Sequence, residues 1–171
     1  MIIKPLVIGN LKAPLPIIQG GMGVGISRYR LASAVANEGG IGVISAAKIG
    51  FDEEDFYTNT LEANLRTLRK HITKAKEIAP SGIIGLNIMV ATNYYEEQVK
   101  TAIDAGVDII ISGAGLPTAL PGIVGDANVK IAPIVSSSRA AAILLKSWDR
   151  KFNVTADAVV VEGPKAGGHF H

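Results

Sequence analysis

The sequence predicts a parallel α/β protein of the TIM type, a (β/α)₈ barrel, of which about six strand–helix units fit in the single domain formed by residues 1–171. Three observations lead there. Short β-branched runs alternate with segments of helical periodicity. Hydrophobic residues make up 48% of the chain and aromatic ones only 5%, with 19 glycines, a mixture suited to buried parallel strands covered by helices. Glycines and polar groups also gather after many different strands. A barrel spreads its ligand groups in that way, whereas a doubly wound sheet concentrates them at one switch point.

Taken in order, Leu6–Ile8 and Leu15–Gln19 read as a leading hairpin around Gly9-Asn10, with the second run as the first core strand. The glycine loop Gly20-Gly21-Met22-Gly23-Val24-Gly25 follows, and Ser27 reads as the N-cap of a helix over Arg28–Asn37. Gly39-Gly40 stops that helix, and Ile41–Ser45 is the second strand. The acidic run Asp52 to Asp55 matches no calcium loop and reads as a solvated helix start. Leu61, Leu65, Leu68, Ile72 and Ala75 then mark a long amphipathic helix whose other positions are basic. His71 lies among them and receives no role. Residues 83–90 form the third strand, Tyr94–Ala105 a helix, 107–111 the fourth strand and Pro117–Ile123 a short helix. Lys130–Val135 is the fifth strand, Arg139–Trp148 a helix, and Ala158–Glu162 the sixth strand.

Composition narrows the function. The net charge of +2, from 17 basic and 15 acidic residues, supplies no field sized for a polyanion, and basic residues on one helix lack aromatic partners, so a nucleic-acid partner is excluded. No stretch approaches eighteen apolar residues, which argues against a membrane span. The absence of cysteine rules out disulfides and thiolate metal sites and suits a reducing cytosol, so the expectation is a cytoplasmic protein without a metal.

The candidate site residues follow the strands. Glu162 stands at the tip of the sixth strand, ahead of a glycine-containing loop that ends in His169 and His171. Asn87, a polar amide in an apolar strand, needs a hydrogen-bond partner, either neighbouring backbone or a ligand. Gly113 follows the fourth strand, in Ser112-Gly113-Ala114-Gly115. Ser136 opens a serine cluster that serves as an N-cap or lies where a ligand edge passes. Asn87, Gly113, Ser136 and Glu162 are therefore expected in one pocket with Gly21, Met22 and Gly23. The glycine loop is a poor dinucleotide fingerprint, because Ile26 stands where the third glycine belongs.

Pro16 to Gly23, Gly85-Leu86-Asn87, Ser112 to Pro117, and Glu162-Gly163-Pro164-Lys165-Ala166-Gly167-Gly168-His169 together resemble the nitronate monooxygenase (2-nitropropane dioxygenase) family, which includes flavin-dependent enoyl-ACP reductases. The resemblance implies an FMN-binding barrel. It places Gly21, Met22 and Gly23 against the flavin, gives Asn87 a hydrogen bond to it, passes Gly167 and Gly168 close to it, and makes His169 the catalytic histidine. His171 departs from the family, which carries glycine there.

Three functions compete. The first is oxidation of nitroalkanes or nitronates with oxygen, His169 removing the acidic C–H proton. The second is reduction of an enoyl thioester by NAD(P)H through FMN. The third is a non-catalytic phosphate-ligand binding module or barrel fragment. A complete barrel takes ~250 residues and eight strands. The chain is therefore expected to be part of a longer polypeptide, or to have its open edges covered by a separate C-terminal half or a second copy.

Overall fold

In the computed structural model, residues 3–166 are described. A small hairpin comes first, β1 (Leu6–Ile8) against β2 (Leu11–Ala13), with Ile8 facing Leu11 across Gly9 and Asn10. Gly9 takes a φ of 57°, which glycine adopts without steric cost. This pairing differs from the expected partner, Leu15–Gln19. The two-residue turn returns the chain at once, and Pro14 and Pro16 remove donors from the segment beyond. Residues 17–19 instead run beside the next strand through a single bridge, Ile18 to Ile41.

The main sheet is parallel, in the order β3 (Ile41–Ser45), β4 (Ile83–Met89), β5 (Ile109–Gly113), β6 (Lys130–Val135), β7 (Val160–Val161). Helices α1 (Tyr29–Asn37), α2 (Thr60–Ile78), α3 (Tyr95–Asp104), α4 (Leu120–Val124) and α5 (Ser138–Phe152) fill the connections. The result is a curled half-barrel, as the alternation predicted.

Period-two alternation sorts each strand between two cores. Ile44, Ile84, Leu86, Ile88, Ile110 and Ile131 pack outward against Ala32, Leu68, Ile72, Val99 and Trp148 of the helices. Ile41, Val43, Ile83, Ile109, Ile111 and Ala132 face inward, where Ile8 and Ala13 of the hairpin cover them. The hairpin thus plugs the inner face. Burial on both faces explains why the strands read as continuous apolar runs. Gly42 faces α1 so closely that a Cβ there would collide with the Ala32 carbonyl.

The acidic run is not a helix start. Arg28 grips Asp52 through both guanidinium nitrogens at 2.7 and 2.6 Å. Arg66 reaches Glu53 at 3.0 Å and Asp55 at 2.6 Å. Hydrogen bonds from these arginines hold the three carboxyls below the usual range. Among the described residues no group of acidic or histidine side chains is arranged to hold a metal.

His71 is buried between α1 and α2, 5% exposed, and stacks on Tyr29 with ring centroids 5.4 Å apart. Burial, reinforced by Arg28 and Lys70, lowers its pKa from 6.5 to about 4, against the smaller opposing pull of Asp52 and Glu53. The folded protein therefore holds His71 neutral while the unfolded chain binds the proton. Stability from this group is complete above pH 6.5 and is lost as pH falls toward 4. At ~1.4 kcal/mol per pH unit, the loss is on the order of 3 kcal/mol at most. Urea titrations between pH 7 and pH 4 should show a steeper decline for the wild type than for His71→Gln. Parallel curves would assign the acid sensitivity to other groups.

Candidate functional site

An open cleft of about 1270 Å³ lies at the C-terminal ends of the strands. Gly20 to Val24, Ser45, Asn87, Met89, Gly113, Ile134 and Glu162 line it. Register explains the company: Ser45 pairs with Asn87, and Met89 pairs with Gly113, so the same pleat turns all four inward. Glu162, one residue past β7, donates its backbone N–H to Val135 O at 2.8 Å, which places it on the cleft wall.

The structure thus brings Gly21, Met22, Gly23, Asn87, Gly113 and Glu162 to one cleft, as the sequence led us to expect. The loop after residue 18 and the one after Val161 open on the same face. Ser136 is not among the lining residues. β6 ends at Val135, and Ser136 stands exposed beyond it while Ser137 caps α5 by accepting from Ala140 N at 3.1 Å. Gly167, Gly168 and His169 lie outside the described residues.

The glycine loop is built by two side chains that sequence reading assigned elsewhere or passed over. Ser27, read as an N-cap, is 1% exposed and takes no part in capping; α1 begins at Tyr29 with no side-chain cap. Its Oγ instead accepts from Met22 N at 2.9 Å and from Gln19 Nε2 at 2.9 Å, and donates to Gly20 O at 3.3 Å. Gln19 Nε2 also donates to Val43 O at 3.1 Å, and Gln19 Oε1 accepts from Val43 N at 3.1 Å. Gln19 therefore satisfies the edge of β3 and ties the loop to it. The signal available in the sequence was a buried-type position filled by glutamine after an apolar run, the same argument that singled out Asn87.

Close packing sets where glycine is required. A Cβ on Gly21 would run into the Asn87 side chain, 2.7 Å from its Cγ, and one on Gly23 would stand 2.8 Å from Ala47 Cβ. Among the described residues nothing lies within 4 Å on the Cβ side of Gly20, so a ligand can approach the backbone there. Among the described residues Asn87 Nδ2 makes only a long 3.5 Å contact with Ile111 O. Also lining the cleft, Gln98 donates to Asn93 O at 3.1 Å, while its buried Oε1 has no partner among the described residues. Glu162 Oε2 is likewise buried without a partner among the described residues. These groups form a mostly apolar cleft with a few convergent polar atoms, the usual composition of a small-molecule site.

A parallel β/α half-barrel whose strand ends converge on a glycine-lined cleft defines a ligand-binding protein of the TIM-barrel class. More narrowly, the chain belongs to the nitronate monooxygenase family, whose sequence model matches residues 4–171. Among solved structures it is similar to FabK from Thermotoga maritima, with a TM-score of 0.70 and 28% identity over 91% of this chain and 43% of that one. The nitroalkane oxidase from Streptomyces ansochromogenes shares the fold, with a TM-score of 0.65 at 19% identity over 92% of this chain and 48% of that one. A curated relative from Mycobacterium tuberculosis, (3aS,4S,5R,7aS)-5-hydroxy-7a-methyl-1-oxo-octahydro-1H-indene-4-carboxyl-CoA dehydrogenase, is 27% identical over 154 residues, 90% of this chain. The chain spans 37% of that relative's length.

Proposed function

We propose that this chain forms the flavin- and substrate-facing part of an FMN-dependent oxidoreductase that oxidises nitroalkanes or nitronates with oxygen. The observation that carries this reading is the cleft, where the open backbone of Gly20 precedes Gly21, which packs on the under-used amide of Asn87. These residues fit a planar, polar-edged cofactor. Gly21, Met22, Gly23 and Gly113 would lie along it, Asn87 and Glu162 would meet its polar edge, and Gly167 and Gly168 would approach it closely. FMN, when bound, supplies the electron-accepting and oxygen-reacting chemistry.

The protein's own share is orientation and proton transfer. Gln19 and Ser27 hold the glycine loop in place before any ligand arrives, which lowers the ordering cost of binding. His169 would take the proton from the carbon bearing the nitro group, a task suited to a neutral imidazole. Family membership and the parallel strand ends support the reading. An absorbance spectrum of the full-length protein from the near ultraviolet to the blue, before and after FMN is added, tests it. Flavin bands and nitroalkane-dependent oxygen uptake are expected; colourless protein after FMN soaking would overturn it.

A second reading, an FMN-dependent enoyl-ACP reductase using NAD(P)H, is supported by a curated relative whose name specifies a carboxyl-CoA substrate. NAD(P)H-dependent bleaching of the flavin, without nitroalkane-dependent oxygen uptake, would select it.

A further inference from the structure

Among the described residues lining the cleft, Lys48 is the one cation and Glu162 the one anion. They stand at opposite ends of the sheet, Lys48 after β3 and Glu162 after β7, so the cleft is electrically polarised along the strand order. Lys48 forms no ion pair among the described residues, although carboxylates elsewhere on the molecule are paired.

The backbone at Lys48 is held in a conformation that lysine does not prefer. Its φ is 46°, in the left-handed region where a side chain costs free energy. Tyr94, φ 63°, and Ala114, φ 53°, follow the next two strands and line the same cleft. Such residues persist only where the surroundings over-determine them, and they cluster at ligand sites. At Lys48 the restraints come from several elements. Ala46 N donates to Asn87 O at 2.9 Å, Phe51 N to Lys48 O at 3.0 Å, and Arg28 Nη2 to Ile49 O at 2.8 Å. Gly50 N donates to Oδ1 of Asn64, a buried side chain of α2, at 2.9 Å. The lysine is thus mounted on a well-tied loop, exposed, with no partner for its ammonium among the described residues.

We propose that Lys48 anchors the negatively charged oxygens of the substrate, so that the cleft accepts small organic oxyanions with their charge directed to the β3 side, away from Glu162. The inference rests on the cleft being the substrate site. The oxyanion has two sources: the nitronate group itself, or a phosphate carried by a larger thioester substrate. An ammonium meeting an oxyanion makes a charge-assisted hydrogen bond, and in a partly open cleft its contribution weakens with salt.

The test is calorimetric titration of the full-length protein, flavin-free and flavin-loaded, with propane-2-nitronate and with inorganic phosphate. Wild type, Lys48→Met and Lys48→Arg are compared at low and high salt. One of the two oxyanions is expected to bind, with affinity about tenfold weaker in Lys48→Met and within about threefold in Lys48→Arg. Flavin absorbance should be the same in all three proteins. Nitronate binding would identify the reacting group as the anchored oxyanion, and phosphate binding a phosphate-bearing substrate. Absence of both from the wild type, equal affinity in Lys48→Met, or loss of flavin rather than oxyanion in that variant would overturn the proposal. A protein that binds oxyanion through Lys48 but never takes up flavin would sink the redox reading alone. Yellow protein with an oxyanion affinity indifferent to Lys48 would do the reverse.

Discussion

Replacement of His169 by alanine in the full-length, flavin-loaded protein is expected to lower nitroalkane turnover by about 10²–10⁴-fold, the usual scale for a general base. Flavin absorbance should remain, because none of the proposed flavin contacts comes from the His169 side chain. The carbon beside a nitro group loses its proton only when a base is held within hydrogen-bond reach, and a neutral imidazole has its proton affinity near working pH. Preformed nitronates have already lost that proton. Their turnover should fall far less, and the ratio of the two losses is the diagnostic quantity. Equal losses on nitroalkane and nitronate would remove the role of base and leave His169 as an orienting residue.

The second large effect is on stability. Trp148 of α5 is fully buried against the outer face of the half-barrel, and its Nε1 donates to Pro117 O at 3.0 Å. That one side chain joins the loop before α4 to the outer core. Trp148→Ala should cost about 3–5 kcal/mol through lost burial and a residual cavity. For a domain of this size each kcal/mol lowers the melting temperature by roughly 2–4 °C, so a drop on the order of 10 °C is expected by calorimetry. Trp148→Phe keeps much of the apolar contact and removes one of the two hydrogen bonds to Pro117 O, the other coming from Leu120 N at 3.2 Å, at about 0.5–1.5 kcal/mol. An alanine variant that melts within a degree or two of wild type would mean that the outer core does not depend on α5.

Much of the barrel was legible because its information is local and periodic. The run Ile109–Gly113 states its own strand, and the steps from Leu68 to Ile72 to Ala75 state their own helix face. Asn87 was legible as a polar amide in an apolar strand and Gly113 by its place at a strand's end, and the register turns both toward the cleft. The hairpin partner was misread because Leu15–Gln19 is apolar enough for a strand. Pro14 before it, Pro16 within it and the immediate turn at Gly9-Asn10 outweighed hydrophobicity.

What the sequence determined alone, then, was the alternation of parallel strands and helices, and two of the polar groups gathered at the strand ends, Asn87 and Glu162. What only the tertiary structure decided was the partner each polar side chain takes. Ser27 had two outlets of similar strength, a helix N-terminus or the glycine loop, and a hydroxyl's choice between them is worth only about 1 kcal/mol. Long-range placement settled it, because Gln19 and Met22 arrive within 2.9 Å. The acidic run found Arg28 and Arg66, and His71 became buried once α1 packed on α2. Ser136 lost its place in the cleft where β6 ended and the neighbouring serine began to cap α5. Burial and hydrogen-bond partners depend on elements far apart in the chain, and no local pattern encodes them.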